Sequence, residues 1–474
     1  MAVDATPGFD LTPSASKATL PSNYITNFDF LNQYLPDTYE KEFERYGNRS
    51  IASFLRMVGA ELPTNSDLIK WEEQGRLHTK YTGVNSDSAA AATFGDFTLA
   101  GDGTAAAEFC NFRVGQTVLI SSEVDAADSN KGIVTAVTTG SGTTAGTFTV
   151  AYYEAGGQTM TLNDDVTVFV YGSEFNKGAN GMDGSLEADP NIFDNKPIII
   201  KDKYVVAGSD MAQIGWVEVT SENGASGYLW YIKSEHETRL RFDDYLEMAM
   251  VEGVPAEAAS GVAGLSASGQ LGNQGTEGMF YTIENRGNVW SGGNPSALAD
   301  FDAIIQRLDK QGAIQENVLF VNRQMGFDID DMLAAQNSYG AGGTSYGLFE
   351  NDEEMALNLG FTGFKRGYEF YKSDWKYLND ATLRGGLTAG AINGVLVPAG
   401  TTNVYDQVMG KNARRPFLHV RYRASETEDR RYKTWMTGSA GGASTSDLDA
   451  MEVNFLSERA LCTMGANNFF IFKS

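Results

Sequence analysis

The stretch YLWYIKSEHETRLRFDDYLEMAMVE, residues 228–252, decides how the rest of the chain is interpreted. The residues expected on the buried face of a helix recur at intervals of three or four: Leu229, Ile232, His236 and Leu240, then Tyr245, Leu246 and Met248–Met250. This periodicity predicts one continuous helix, and Gly253 and Pro255 end it. At 1.5 Å per residue the helix would be about 35–40 Å long. A helix of that length suits a spine that connects several parts of a molecule.

Strand-like segments lead into this helix: Pro197–Ile200, Tyr204–Ala207 and Gln213–Val219, after the glycine-rich Asn176–Gly184. They predict a long two-stranded hairpin over 176–225. An isolated hairpin is only marginally stable in water. We therefore expect this hairpin to lie on something else, such as a neighbouring subunit.

Further upstream, residues 82–175 lose helical periodicity and alternate short strand patterns with Gly, Ser and Thr turns. The predicted strands are Phe112–Ile120, Gly132–Val137, Thr147–Tyr153 and Val166–Tyr171. Several short strands at such spacing are typical of a small barrel. We expect 82–175 to be an inserted all-β, barrel-like domain.

The N-terminal part, 1–81, is predicted to combine an extended arm over residues 1–30 with two short helices. The first spans Ser50–Val58. The second would be capped by Asn65-Ser66-Asp67 and would carry Leu68, Trp71 and Leu77.

Downstream of the spine, helices and strands alternate. Asn294-Pro295-Ser296 should begin a helix that contains Leu298, Phe301 and Leu308. A buried strand, Val318–Val321, and a helix at about Phe327–Ala335 should follow, and 411–474 is dominated by strand patterns. The fold class expected from the whole pattern is α+β.

Composition restricts the partners of the chain. The net charge is −25, which disfavours binding of nucleic acid in a basic groove. Cys110 and Cys462 are expected to be buried free thiols, since two distant cysteines form neither a disulfide framework nor a zinc site. The chain also lacks a predicted signal peptide or membrane span, so we expect a soluble protein made in a cytoplasm.

Every catalytic or cofactor motif that we tested lacks a required residue. His236-Glu237-Thr238-Arg239-Leu240 has leucine where a zinc-protease helix needs its second histidine. Gly264–Ser268 lacks the second glycine of a nucleophile elbow, and Gly410-Lys411-Asn412 is not a phosphate loop. Asp328, Asp330 and Asp331 lack the glycine of a calcium loop, so we expect them to cap a helix. The sequence predicts no catalytic residue, cofactor or metal site.

The segment from Lys411 to Lys433 is unusually basic, because it contains eight Lys and Arg residues but only three Asp and Glu residues. The segment contains Arg414, Arg415, Arg421, Arg423, Arg430 and Arg431. We interpret it as a patch that meets the acidic surface of a neighbouring subunit, because complementary charge sets the register of an interface. A solvated strand face and a nucleic-acid contact remain open as alternatives.

Two phrases resemble the major capsid proteins of tailed phages, which have the HK97-like capsid fold. Residues 194–209, DNKPIIIKDKYVVAGS, look like the strand phrase that precedes the spine helix in that family, and 171–178, YGSEFNKG, is similar to the exit of its inserted β modules. The stretch 54–81 looks like capsid proteins of crAss-like phages. The order of parts also resembles the family's: N-terminal arm, extended hairpin (the E-loop, 176–225), spine helix with peripheral domain (226–300), axial domain (301–410) and return strands (411–474).

The resemblance implies a structural subunit, not an enzyme, that assembles into hexamers and pentamers of an icosahedral head around double-stranded DNA. It implies assembly in the bacterial host's cytoplasm and partnership with portal, scaffolding or decoration proteins, without a membrane. Lys201 and Lys203 of the strand phrase join the arginines as expected inter-subunit contacts. A tail or baseplate protein, and a carbohydrate-active surface protein, remain as alternatives.

Overall fold

The computed structural model describes residues 60–473, except for 76, 87–93, 100–109, 126, 141–143, 156–164, 186–189, 213–218, 221–225, 228–229, 265–272, 313, 338–361, 407–410 and 443. Helices and strands are mixed along the chain, as expected for the α+β class. The predicted arm and the predicted helix Ser50–Val58 lie outside the described residues.

The strands are, in chain order, β1 Ala60–Thr64, β2 Ile69–Glu73, β3 Lys80–Ser86, β4 Phe94–Thr98, β5 Gln116–Ser122, β6 Ser129–Thr138, β7 Thr147–Tyr152, β8 Asp165–Ser173, β9 Asn191–Asn195, β10 Ile198–Ala207, β11 Val219–Thr220, β12 Ser226–Gly227, β13 Asn288–Trp290, β14 Glu316–Val321, β15 Gly363–Arg366, β16 Tyr368–Asp374, β17 Ile392–Pro398, β18 Thr401–Asp406, β19 Lys411–Pro416, β20 Leu418–Arg423, β21 Lys433–Gly438, β22 Ala450–Thr463 and β23 Phe470–Lys473. The helices are α1 Gly208–Met211, α2 Trp230–Glu252, α3 Met279–Arg286, α4 Leu298–Gln311, α5 Arg323–Asn337 and α6 Lys376–Asn379, with 3₁₀ turns at Arg384–Gly386 and Ala466–Asn468.

A five-stranded sheet is organised around the long strand β22. Strand β10 pairs with one edge of β22, and β20 and β21 pair end to end with the other edge. Strand β1 completes the sheet by pairing in parallel with β20. The short pairs β2–β9, β11–β12 and β18–β19 are separate two-stranded sheets.

The spine helix α2 lies on this sheet, and its prediction is confirmed from Trp230 to Glu252. Phe242 and Leu246 pack against Met451, Val453 and Phe455 of β22. The phase of the buried face differs from the expected one, because Phe242 is fully buried and Tyr245 is 41% exposed. The helix turns its single phenylalanine, and not Tyr245, toward the sheet.

A six-stranded sheet forms the second body, in the order β13–β23–β17–β14–β16–β15. Helices α4 and α5 pack on it, with Phe301, Leu308 and Ile329 in the shared core. The predicted helix beginning near Leu298, the predicted strand Val318–Val321 and the predicted helix near Phe327 are confirmed as α4, β14 and α5. Helix α3, for which the sequence analysis predicted no element, adds Phe280 and Ile283 to the core between this sheet and the spine.

Strands β3 to β8 form a closed barrel in the order β3–β4–β7–β6–β5–β8. This is the all-β insertion that the sequence predicted. Phe97, Phe112 and Phe148 are buried at its centre and contact one another as an aromatic cluster. Its core is a cluster of its own, separate from the cores of the two sheets. Strands β3 and β4 were not predicted from the sequence.

The predicted helix over 65–77 is wrong, because the chain forms strand β2 there. Ile69 and Trp71 alternate with polar residues and pack on Ala460 and Cys462 of β22. The three-residue interval between Leu68 and Trp71 suggested a helix. Pairing with the distant strand β9 determines the observed strand.

The pairing inside 176–225 also differs from the predicted hairpin. Strand β9 pairs with β2, and β10 pairs over ten positions with β22. The segments expected as two strands, Pro197–Ile200 and Tyr204–Ala207, are one strand. Exposed Lys201 and Lys203 alternate with half-buried Ile200 and Asp202 on it, which is ordinary strand periodicity.

Candidate assembly surfaces

Part of the basic segment 411–433 is neutralised by carboxylates of the same chain. Arg430 Nε lies 2.9 Å from Glu458 Oε2. Arg423 Nη1 lies 3.9 Å from Glu458 Oε1 and also pairs with Asp67. These partners are far away in sequence, so the composition of the segment did not reveal them. As inter-subunit contacts, Arg423 and Arg430 remain predictions, and within the chain they hold its own strands together.

A second group of ion pairs fastens the first described strand. Glu61 on β1 pairs with Arg431, and its Oε1 lies 3.5 Å from Arg459 Nη1. Arg459 is 6% exposed, and its guanidinium also donates to Ser457 Oγ at 2.9 Å and to the Arg431 carbonyl at 3.0 Å. Arg431 of the basic segment and Arg459 of β22 therefore anchor β1 against β20 and β22.

Glu61→Ala should lower the free energy of unfolding by about 1–3 kcal/mol, because the buried guanidinium of Arg459 loses its carboxylate partner. Hydrogen exchange of the β1 amides should accelerate as well. Urea unfolding and amide exchange measure the two effects. Asp67→Ala is the control, since the Asp67 side chain is 88% exposed and its ion pair should contribute less than about 0.5 kcal/mol. Equal losses in the two variants would contradict the anchoring role of Glu61.

Strand β10 is an edge strand of the five-stranded sheet and carries the two predicted lysines. Lys203 Nζ lies 3.6 Å from Glu452 Oε1, and Lys201 is exposed. On the same face, Ile199 and Val205 are 53% and 45% exposed. A long edge strand with exposed apolar side chains is a template for pairing with another chain, and lysines on such an edge limit unwanted pairing.

Arg414 and Arg415 lie on the ribbon β18–β19, opposite Asn403 and Thr402. Among the described residues, these two strands pair only with each other. Arg421 lies on β20, inside the five-stranded sheet, opposite Ala460. The predicted basic residues therefore fall into two places, the ribbon and the five-stranded sheet.

The pair β2–β9, here called the neck, carries the chain out to the barrel and back. Arg286 of α3 contacts both strands of the neck. The guanidinium carbon of Arg286 lies 4.2 Å from the ring centroid of Phe193 and 5.7 Å from that of Trp71, one ring from each neck strand. Its Nη2 lies 2.9 Å from Glu277 Oε1. Burial raises the pKa of Glu277, and the charge of Arg286 opposes that shift.

Asn195, at the end of β9, is the second fixing point of the neck and is 4% exposed. Its Nδ2 donates to the carbonyls of Leu461 at 2.6 Å and Glu277 at 2.9 Å. Its Oδ1 accepts from the Glu277 and Lys196 amides, each at 2.8 Å, and from the Thr276 hydroxyl at 3.1 Å. Sequence reasoning missed both Asn195 and Arg286, because a lone Asn and a lone Arg carry no spacing signal.

The outer wall of the barrel carries an exposed group of aromatic side chains, here called the aromatic strip: Phe169, Tyr171 and Tyr153, which are 38%, 50% and 49% exposed. The Tyr153 hydroxyl donates to Glu174, and Lys131 Nζ lies 5.9 Å from the Tyr171 ring centroid. The pKa of Tyr153 is strongly raised, first by desolvation and then by Glu174. Large apolar groups gathered on a surface commonly mark an interaction site.

The chain leaves the barrel through an exposed run. Each residue from 171 to 185 is exposed, and Phe175 and Met182 keep 41% and 39% of their surface in solvent. Phe175 lies against Gly115, whose φ is +91°, and a Cβ at position 115 would lie 2.5 Å from the Phe175 ring. This run follows the barrel wall without forming a strand beyond Ser173.

The three histidines of the chain lie in three different parts of the fold. His78 is exposed after β2, His236 is half-buried on α2, and His419 is buried on β20. Within the part of the chain that the structure describes, no three His, Cys, Asp or Glu side chains form a metal-binding group. Likewise, no described helix is long and apolar enough to span a membrane. Cys110 and Cys462 are buried thiols that form no disulfide, as predicted.

The prediction that Asp328, Asp330 and Asp331 cap a helix is wrong. They lie inside α5, which begins at Arg323. Asn322 caps this helix, since its Oδ1 accepts from the Met325 amide at 2.8 Å. Asp328 accepts instead from Asn294 Nδ2 at 2.6 Å, and Asp330 pairs with Lys372 at 2.5 Å.

The sequence matches no protein-family model and no curated protein. Solved structures with a similar chain path include one titled Microbacterium phage Oxtober96, with 10% identity, coverage of 95% of this chain and 99% of that chain, and a TM-score of 0.38. Another, titled Mycobacterium phage Ogopogo, has 9% identity, 94% and 98% coverage, and a TM-score of 0.39. The capsid of an empty GTA particle has 9% identity, 96% and 99% coverage, and a TM-score of 0.35. These TM-scores lie below 0.5, so the likeness carries no functional assignment for this chain.

Proposed function

We propose that this chain is the structural subunit of a closed icosahedral shell, the major capsid protein of a tailed-phage head that encloses double-stranded DNA. The observation that carries the proposal is the exposed run 171–185. Every residue of this run is exposed, including Tyr171, Phe175 and Met182. From 174 to 185 the run also belongs to no sheet of its own chain. Such a segment is costly in a monomer and is explained if neighbouring subunits cover it.

The order of parts supports the same function. A spine helix lies on a sheet, a second sheet with two helices follows, and the C-terminal strands β20–β22 return to the first sheet. This is the order that the resemblance to HK97-like capsid proteins implies. One edge of β10 pairs with no described strand of its own chain, and another copy would complete the hydrogen bonding there.

The proposal includes hexamers and pentamers as building blocks, a place in the virion, and assembly in the host cytoplasm. Portal, scaffolding or decoration proteins are proposed partners, and the crAss-like group is proposed on the stretch 54–81. The net charge of −25 suits a wall that encloses DNA without binding it. No enzymatic activity, cofactor or membrane contact is assigned.

Electron microscopy and sedimentation of the purified, concentrated chain test this function. We expect rings of five or six copies, or closed shells. Open tubes would favour a tail protein instead. A chain that stays monomeric at high concentration, alone and with the phage's own scaffolding protein, would contradict the proposal.

A further inference from the structure

The exposed run 171–185 contains an Asn-Gly pair, Asn180-Gly181, whose two groups can react with each other. We propose that Asn180 is a site of spontaneous covalent modification in the free chain. The backbone nitrogen of Gly181 attacks Cγ of the Asn180 carboxamide and closes a succinimide ring. This inference does not depend on the proposed function, because it rests on the chemistry and the exposure of two neighbouring residues.

The reaction needs only water as a second reactant. The Gly181 amide loses its proton to hydroxide, its nitrogen forms a bond to Cγ of Asn180, and the bond from Cγ to Nδ2 breaks. The nitrogen Nδ2 takes up a proton from water and leaves as ammonia. Water then adds to one of the two ring carbonyls and opens the ring. The product is aspartate, or isoaspartate, in which the main chain runs through Cβ and Cγ, and no atom is oxidised or reduced.

The surroundings of Gly181 leave its nitrogen accessible. Glycine has no side chain that hinders the approach to Cγ, and a Cβ added at position 181 would have no atom within 4 Å. Asn180 is exposed to water, and the pair belongs to no helix or strand. The ring can therefore form without displacing any described part of the chain.

Hydrogen bonds hold the run on either side of the pair but not at the pair. The Ala179 amide donates to the Asn176 carbonyl at 3.1 Å, which closes a turn just before it. After it, Arg113 Nη2 donates to the Ser185 carbonyl at 3.5 Å. Among the described residues, no hydrogen bond engages position 180 or 181. The main chain there can rotate into the conformation that ring closure requires.

The fold provides an internal comparison, because the sequence Asn-Gly also occurs at 393–394. Asn393 is 8% exposed, and its carbonyl accepts from the Asn322 amide at 2.7 Å. Gly394 lies inside strand β17, which is paired with β14 on one side and β23 on the other. Ring closure at Asn393 therefore requires that a central strand first leaves its sheet, and such openings are rare. The third Asn-Gly, 223–224, lies outside the described residues.

Incubation of the purified full chain, followed by peptide mass spectrometry, tests the proposal. Digestion in isotope-labelled water marks residues that convert only during the digestion. We expect conversion at Asn180 at least about a hundredfold faster than at Asn393, because opening of a central strand limits the second reaction. The rate at Asn180 should also rise about tenfold per unit of pH, as the deprotonated fraction of the amide does. Equal rates at the two positions would overturn the proposal.

The variant Gly181→Ala tests the cyclic route itself. The φ of Gly181 lies outside the left-handed region and the space around it is open, so alanine should fit without strain. Its methyl group hinders the approach of the nitrogen, and conversion at Asn180 should slow at least about tenfold. Circular dichroism should match that of the wild type. An unchanged rate would mean that water hydrolyses the carboxamide directly, which would overturn ring closure on Gly181.

The same measurement on assembled particles keeps this inference apart from the proposed function. If neighbouring subunits cover the run 171–185, Asn180 should convert more slowly in shells than in free subunits. Equal rates in both states would count against coverage of the run and would leave the modification in place. No conversion in free subunits would overturn the modification and leave the shell function in place.

Discussion

The variant Phe242→Ala should lower the free energy of unfolding of the spine-and-sheet body by about 3–5 kcal/mol. Phe242 is fully buried, and its ring centroid lies 5.3 Å from that of Tyr432 and 5.7 Å from that of Phe455. Removing the ring leaves a cavity between helix and sheet, and both aromatic partners lose their contact. No other single side chain of α2 joins the helix to two aromatic residues of the sheet region among the described contacts.

Tyr245→Ala is the matched control for Phe242→Ala. It lies on the same helix, one turn further on, with 41% of its surface exposed, and should cost less than about 1 kcal/mol. Chemical denaturation with far-ultraviolet circular dichroism measures both variants. Because the barrel has its own core around Phe148, its unfolding transition should not move in either variant. Equal losses in the two variants would show that the helix does not depend on Phe242 for its attachment.

The spine helix was predictable because the 3.6-residue period is a local property of the sequence. Which side of the helix is buried could not be predicted from the sequence. Tyr245 and Phe242 both fit an apolar stripe, and only the sheet against which the helix packs selects one of them. Pairing with the distant strand β9 likewise selects a strand at β2, where a short apolar interval also fits a helix. Local patterns therefore predicted where elements occur better than which side they bury.

The barrel shows the same distinction. Strands β5 to β8 are rich in β-branched residues and were predicted, whereas β3 and β4 were not. Strand β3 contains Gly83, at a φ of +63°, and its pairing with β8 shifts register nearby, between Tyr81 and Val84. The irregularity removes the period of two on which strand prediction depends.

For the candidate surfaces, sequence reasoning found the charges but not their partners. The run of Arg and Lys between 411 and 433 is visible in the sequence. Glu61 and Glu458, which neutralise part of it, reach it only through the pairing of β1 and β22 with β20. The neck illustrates the limit most clearly, because strands β2 and β9 flank the whole barrel in sequence and meet only in the folded chain.

The variant Asn195→Ala should cost about 3–5 kcal/mol, although it removes only a small polar side chain. The carboxamide makes five hydrogen bonds, and the donors and acceptors that it leaves behind belong to Leu461, Glu277, Thr276 and Lys196. Each buried group that loses its partner costs about 1–3 kcal/mol, and the losses at one site are not additive. Water is a poor substitute, since Asn195 is 4% exposed.

The loss should be concentrated at the neck. Amide exchange should rise in β9 and around Thr276, whereas the amides of the barrel strands should keep their protection, because the barrel core does not involve Asn195. Asn191→Ala, at the exposed other end of β9, is the control and should change stability by less than about 0.5 kcal/mol. Unchanged exchange at the neck would mean that Arg286 alone holds the neck strands in place.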